Sequence, residues 1–142
     1  MNDPQTNAYP EAGRRTRGRV LVVDDEPLVG KSMARLLRDE HVVETVGSAD
    51  EALERLRSGA QFDAILSDVM MPGGSGLDLH AALLREFPSC APRVVFMTGG
   101  LHEPLQERIA QIPNVCLDKP VDCDRLRTVI GRTIALAQRG IE

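Results

Sequence analysis

The chain has 142 residues, of which 42% are hydrophobic and 27% are charged, and its formal net charge at pH 7 is −4. This length suits a single globular domain, which buries about 70% of its unfolded surface and needs no disulfide to fold. The acidic balance excludes a general nucleic-acid-binding surface, and no apolar run approaches the ~20 residues of a membrane-spanning helix. Three cysteines without metal-ligand spacing indicate reduced thiols, so we expect a cytoplasmic protein.

The two ends of the chain lack the pattern of a folded element. Residues 1–18 are polar, with a small basic cluster and no apolar segment of a secretory signal, so we expect a flexible arm. Residues 139–142 form a short C-terminal tail. The sequence therefore predicts one folded domain over residues 19–138.

Within that domain, strand and helix patterns alternate five times. Short β-branched apolar runs indicate strands that are buried on both faces, and apolar residues on one face of longer segments indicate helices. In chain order, the predicted strands are 20–24, 42–46, 63–67, 93–97 and 114–117, and the helices that follow them are 27–39, 48–57, 77–87, 103–111 and 124–138. This alternation predicts an α/β fold of the flavodoxin-like (βα)5 type, a doubly wound parallel sheet with strand order 2-1-3-4-5.

Polar side chains follow four of the predicted strands. Asp24 and Asp25 end the first strand and Asp68 follows the third, and these two strands flank the switch point of such a sheet. Three carboxylates at that point repel each other unless a cation lies between them, and Mg²⁺ prefers oxygen ligands. Thr98 and Lys119, after the fourth and fifth strands, could contact phosphoryl oxygens while a carboxylate attacks phosphorus. The set predicts phosphoryl transfer that depends on a divalent metal.

Four motifs together make the chain resemble the receiver domain of response regulators in two-component signalling. The resemblance extends from about residue 19 to residue 138. The motifs are Leu21-Val22-Val23-Asp24-Asp25-Glu26, Asp68-Val69-Met70-Met71-Pro72-Gly73-Gly74-Ser75-Gly76, Met97-Thr98-Gly99 and Leu117-Asp118-Lys119-Pro120.

The resemblance implies a phosphoacceptor and a metal site. Asp68 would accept a phosphoryl group from a phosphohistidine on a histidine kinase or a histidine phosphotransfer domain. Asp25 would bind Mg²⁺ directly and Asp24 largely through water, with Asp68 and the main-chain carbonyl of Met70 as further ligands. Water would later hydrolyse the phosphoryl group, so the domain would act on itself and would not be an enzyme with a separate substrate.

The resemblance also implies how the phosphoryl group is sensed. The Thr98 hydroxyl and the Lys119 ammonium would each contact a phosphoryl oxygen, and the bond from Lys119 to Pro120 would be cis. The signal would pass to an unknown downstream protein through protein contacts. A homodimer through the face formed by the fourth helix, fifth strand and fifth helix would be one such contact.

Three positions depart from the family pattern or modify the site. Family members often carry Tyr or Phe three residues before the motif lysine, where this chain has Cys116, so the response of the neighbouring surface should differ. We interpret Cys116 as a small, half-buried residue. Gly100 should leave the site open to water on one side, whereas the apolar side chain of Met70 should partly shield it.

Two alternative functions remain open at this point. One is a degenerate receiver used only for docking, which the complete set of acidic, hydroxyl and lysine residues argues against. The other is an aspartyl-phosphate hydrolase of the haloacid dehalogenase type, which needs a general acid two residues after the nucleophile, where Met70 stands. A stand-alone regulator and a receiver from a hybrid kinase both fit the sequence.

Overall fold

The computed structural model describes residues 17–71, 76–100 and 103–140. Residues 1–16 of the predicted arm, the loop residues 72–75, residues 101 and 102, and the last two residues lie outside the described residues. The strands are β1 (Arg19–Val23), β2 (Val42–Val46), β3 (Ala64–Asp68), β4 (Val94–Thr98) and β5 (Cys116–Asp118), and the helices are α1 (Pro27–Leu37), α2 (Ala49–Arg57), α3 (Gly76–Glu86), α4 (Glu103–Ala110) and α5 (Cys123–Gln138).

All five strands are parallel and form one sheet in the order β2-β1-β3-β4-β5. This confirms the predicted fold class and strand order. From their second residue onward, β1, β3 and β4 are fully buried, as expected for apolar strands with a layer of side chains on both faces. One core cluster packs α2 and α3 against the sheet, and the other packs α1 and α5 against the opposite face. No helix within the described ranges is long and apolar enough to cross a bilayer.

The ends of the elements lie within two residues of their predicted positions, and the largest difference in the strands is at β5. Asn114, predicted as the first residue of this strand, instead uses its side-chain amide to donate to the carbonyls of Ala91 and Val94, at 2.8 and 2.7 Å. A short 3-10 turn, Ala91–Arg93, also precedes β4 and was not predicted. Asn114 thus fastens the start of β4, and strand pairing begins at Cys116.

Side chains fix the start of two helices. The Ser48 hydroxyl accepts from the Glu51 N–H at 3.1 Å and so caps the start of α2. The Glu51 carboxylate, however, accepts from the Gly47 N–H at 2.8 Å rather than from the N–H of Ser48. Asp122 caps α5 in the same way as Ser48 caps α2. Each cap contributes about 1 kcal/mol to the stability of its helix.

His41 is buried at the amino-terminal edge of the sheet and makes stability depend on pH. The Gly18 N–H donates to its Nδ1 at 3.1 Å, so this nitrogen must be unprotonated. Burial, aided by Arg17, lowers the pKa of His41 from its ordinary 6.5, although Glu40 and Asp63 act in the other direction. The unfolded chain therefore binds more protons than the folded chain in this pH range. The free energy of unfolding should have its full value above about pH 6.5 and should decrease as the pH falls through that value.

Urea unfolding at a series of pH values between about 7.5 and 5.5 checks this expectation. In a His41→Gln variant the part of the pH dependence that comes from His41 should be lost. A smaller dependence should remain, since burial also lowers the pKa of His80. Equal slopes in the wild type and the variant would contradict the assignment to His41.

Candidate functional site

Three carboxylates converge where β1 and β3 end. Val23 of β1 pairs with Ser67 of β3, so the residues that follow them, Asp24 and Asp68, lie side by side at the ends of the two strands. One carboxylate oxygen from each of Asp24, Asp25 and Asp68 lies within 4.8 Å of the others. The structure therefore brings together the three acids that the sequence placed at this edge. Asp24 and Asp68 are buried, whereas Asp25 is exposed.

Asp24 has one satisfied and one unsatisfied carboxylate oxygen. Its Oδ1 accepts from the Glu26 N–H at 2.9 Å. Its Oδ2 is buried and has no hydrogen-bond partner among the described residues, although the Lys119 Nζ lies 3.9 Å away. Burial raises the pKa of Asp24, and the negative charges of Asp68 and Asp25 add to this rise, while the Glu26 N–H and Lys119 oppose it. A buried oxygen of this kind, beside two more carboxylates, fits a ligand of a hard divalent cation.

Asp68 is held through both of its carboxylate oxygens. The Met70 N–H donates to Oδ1 at 3.2 Å and the Lys119 ammonium donates to Oδ2 at 3.0 Å. Burial by itself would lower the pKa of Lys119, but the hydrogen bond to Asp68 and the charges of Asp68 and Asp24 outweigh it, so the pKa is raised. Lys119 therefore stays charged and faces an oriented carboxylate.

The lysine is positioned by the chain at the end of β5. Its backbone N–H donates to the Thr98 carbonyl at 2.8 Å, which links the ends of β4 and β5. The bond between Lys119 and Pro120 is cis, as the resemblance implied. A Cβ on Gly99 would lie 3.7 Å from the Lys119 Cδ, so the lysine stem passes beside the backbone of this glycine.

Thr98 offers a buried hydroxyl. It ends β4, one residue after the Met97 that pairs with Asp68. Its Oγ1 is buried and has no hydrogen-bond partner among the described residues. A hydroxyl in that condition retains its donor for a ligand oxygen.

Gly76 is a site residue whose role the sequence reasoning missed. A Cβ at this position would lie 2.6 Å from the Asp68 carbonyl oxygen, so only glycine fits. The Gly76 N–H donates to the Val69 carbonyl at 2.9 Å, and the Ser67 hydroxyl donates to the Asp68 carbonyl at 3.1 Å. These contacts hold the backbone of the phosphoacceptor candidate against the start of α3. The only signal in the sequence was a glycine at the end of the motif that begins at Asp68.

The family model of the response regulator receiver domain matches residues 20–131 of the chain. The chain belongs to this family. The response regulator GacA of Pseudomonas viridiflava is 39% identical over 95 residues, which are 66% of this chain and 44% of GacA. The transcriptional regulatory protein TcrA of Mycobacterium tuberculosis is 34% identical over 132 residues, 90% of this chain and 49% of TcrA. This receiver domain thus spans about half the length of these two curated relatives.

Solved structures agree with this assignment. A response regulator receiver domain protein from Clostridium thermocellum superposes with a TM-score of 0.74 at 26% identity, covering 87% of this chain and 98% of that one. A sensor protein from Polaromonas sp. JS666 gives a TM-score of 0.74 at 25% identity, covering 85% of this chain and 98% of the other. The receiver fold therefore occupies nearly the whole of the described chain.

Proposed function

We propose that this receiver domain, residues 19–138, accepts a phosphoryl group on Asp68 from a phosphohistidine of a histidine kinase or a histidine phosphotransfer domain. The supporting observation is the setting of Asp68, whose carboxylate is buried, oriented through both oxygens and 3.0 Å from an ammonium. An Asp68 oxygen would bond to phosphorus as the bond from phosphorus to the histidine nitrogen breaks. The histidine ring keeps that electron pair and takes a proton from solvent, and an acyl phosphate forms on Asp68.

Lys119 and Thr98 would stabilise the transferred group. The Lys119 ammonium now hydrogen-bonds Asp68 Oδ2, and it could move to a phosphoryl oxygen that approaches the same carboxylate. The Thr98 hydroxyl has an unused donor for a second phosphoryl oxygen. Both groups place positive charge or a hydrogen bond where negative charge accumulates during transfer.

Mg²⁺ is the cofactor that these residues fit best. We assign Asp24, Asp25, Asp68 and the main-chain carbonyl of Met70 as its ligands. The support is the buried, unpartnered Oδ2 of Asp24 within a cluster of three carboxylates, since hard oxygen donors suit this ion. When bound, the ion would neutralise charge on the phosphoryl oxygens.

The proposed chemistry implies the partners of the protein and the compartment in which it meets them. Its upstream partner would be the histidine kinase or phosphotransfer domain, and both would meet it in the cytoplasm. An unknown downstream protein, or a second copy of the domain, would contact the face formed by α4, β5 and α5.

An intact-mass experiment tests the proposal directly. The wild type incubated with acetyl phosphate and Mg²⁺ should gain roughly 80 Da, the mass of one phosphoryl group. The Asp68→Asn variant should gain nothing, and chelation of Mg²⁺ should abolish the gain in the wild type. Asp124→Asn is a matched control, since the Asp124 side chain is 94% exposed on α5, and it should be modified like the wild type. A wild type that gains no mass would favour a domain used only for docking.

Met70 should slow the loss of the phosphoryl group. Met70 stands two residues after Asp68 and its side chain is 46% exposed, so it can cover part of the path of the attacking water. The water would bond to phosphorus as the bond to the Asp68 oxygen breaks, which releases inorganic phosphate. Replacing Met70 with Asn should speed this step roughly threefold, a change in barrier of less than about 1 kcal/mol.

Release of inorganic phosphate from the purified phosphorylated domain measures this rate. Leu84→Asn is the matched control, because Leu84 is also an exposed apolar side chain but lies in the second half of α3. The control should match the wild type. A Met70→Asn rate equal to that of the wild type would show that the side chain does not shield the site.

A further inference from the structure

A cavity of about 300 Å³ lies between α4 and the edge of the sheet formed by β4 and β5. One wall belongs to the sheet and the other to a single face of α4, whose lining residues are spaced three and four apart. The sheet contributes Thr98, Cys116 and Asp118, and the helix contributes Gln106, Ile109 and Ala110.

The cavity exists because a small strand residue faces a loosely packed helix. Cys116 pairs with Phe96 in the register of β5 and β4 and is only half-buried. None of the described side chains of α4, residues 105–110, is fully buried, whereas each of the other four helices buries at least three residues. Neither wall therefore fills the space between them.

The size and walls of the cavity select the kind of molecule that fits. Its volume is at the lower end of the roughly 300–1,000 Å³ of ligand pockets, and an apolar cavity of about 150 Å³ is enough for benzene. One aromatic ring with a small substituent therefore fits. A flat ring also suits a space between a sheet and a helix face, and Ile109, Ala110 and Cys116 give it apolar contacts.

The polar groups select the substituent. The Thr98 Oγ1 is closed to solvent, so the acceptor within reach of a ligand is the exposed carboxylate of Asp118. This carboxylate accepts a hydrogen bond, and it repels an anionic ligand. We infer that this cavity binds a neutral, single-ring aromatic molecule with an O–H or N–H donor, of the phenol class.

This binding does not depend on the phosphorylation chemistry. Asp24, Asp25, Asp68 and Lys119 are absent from the cavity lining, and Thr98 is the residue that the two sites share. Binding can therefore be measured on the unphosphorylated domain without Mg²⁺.

A titration of the ¹⁵N-labelled full chain with phenol, followed by NMR, tests the inference. Saturable shifts are expected at the backbone amides of residues 98–100, α4 and β5. Benzoate, which has the ring but a negative charge, should bind more weakly, and so should cyclohexanol, which has the hydroxyl but no flat ring. Shifts that do not saturate, that spread over the whole surface, or that benzoate reproduces at equal concentration would overturn the inference.

Variants that fill the cavity from either wall provide the second arm of the test. Cys116→Phe fills it from the sheet, and Ala110→Leu fills it from an exposed position on the helix, where loss of folding is not a concern. Both should abolish the phenol-dependent shifts. Cys123→Phe is the matched control, because Cys123 is exposed at the start of α5 and lies outside the cavity, and it should bind like the wild type. Asp68→Asn should also bind like the wild type, and retained binding in both filled variants would refute the site.

Discussion

Gly76→Ala is expected to lower the free energy of unfolding by about 2 to 3 kcal/mol, a large effect for the addition of one methyl group. The added Cβ would lie 2.6 Å from the Asp68 carbonyl oxygen, 3.1 Å from the Ser67 Oγ and 3.2 Å from the Val69 Cα. Two of these atoms belong to the backbone of the strand end and cannot rotate away. Relief of the contact must move either the start of α3 or the backbone of Asp68, so the yield of phosphorylated protein should fall as well. Urea unfolding and the intact-mass assay measure the two effects.

Two other glycines provide matched controls for that substitution. Gly30 lies inside α1 and Gly131 inside α5, and a Cβ at either position would meet no heavy atom within 4 Å beyond its chain neighbours and the backbone of its own helix. Alanine there should raise the free energy of unfolding by about 0.5 to 1 kcal/mol, because it restricts the unfolded chain and favours helix. If Gly76→Ala were as stable as these controls, the close approach to Asp68 would be absent in solution.

The position of the acids could be predicted from the sequence because it depends on few variables. Apolar runs define the strands, parallel strands carry their carboxyl ends to one edge, and Asp24, Asp25 and Asp68 directly follow or end such strands. Short side chains at strand ends have little freedom to diverge. The order of the strands added the information that the two acidic strands are neighbours.

Contacts that depend on long side chains or on backbone packing could not be predicted in this way. The choice of the Lys119 ammonium between Asp68 at 3.0 Å and Asp24 at 3.9 Å depends on the path of a four-carbon stem beside Gly99. The close approach of Gly76 to Asp68 depends on the entry angle of α3. The Asn114 side chain replaces part of a strand with hydrogen bonds to two distant carbonyls.

Cys116, which stands where family members often have an aromatic ring, shows the same contrast between what could and could not be predicted. The sequence predicted a half-buried residue in place of a ring, and the structure places Cys116 at intermediate burial. Burial also raises the pKa of its thiol, with a further contribution from Asp118, which keeps it protonated and fits an apolar packing role. The neighbouring cavity could not be predicted, because it depends on how α4 packs against the sheet, and no pattern within one element encodes that packing.

Lys119→Gln is expected to make the stability of the domain depend strongly on Mg²⁺. In a buffer without divalent ions, the variant should lose about 2 kcal/mol of unfolding free energy, which is less than the ~3–5 kcal/mol of a fully buried pair because the Lys119 side chain is 27% exposed. The loss arises because the ammonium lies 3.0 Å from the Asp68 carboxylate and 3.9 Å from that of Asp24, and partly neutralises both. The folded structure raises the pKa of Lys119 above its ordinary 10.5. This stabilisation therefore has its full value at neutral pH and declines only as the pH rises through the pKa that Lys119 has in the folded state.

Added Mg²⁺ should then raise the urea concentration at the midpoint of unfolding more for Lys119→Gln than for the wild type. Without the lysine, the ion meets a more negative cluster, so it binds the folded state more tightly, and tighter binding to the folded state alone adds stability. Lys31→Gln is the matched control, because Lys31 is exposed on α1, and its midpoint should follow the wild type at every Mg²⁺ concentration. If Mg²⁺ raised neither midpoint, the ion would not bind among these carboxylates, and an equal rise in both proteins would mean that Lys119 does not weaken its binding. A larger response together with a lost phosphoryl adduct would instead separate the two roles of the lysine, since the variant would hold the ion well and still fail to stabilise the transferred group.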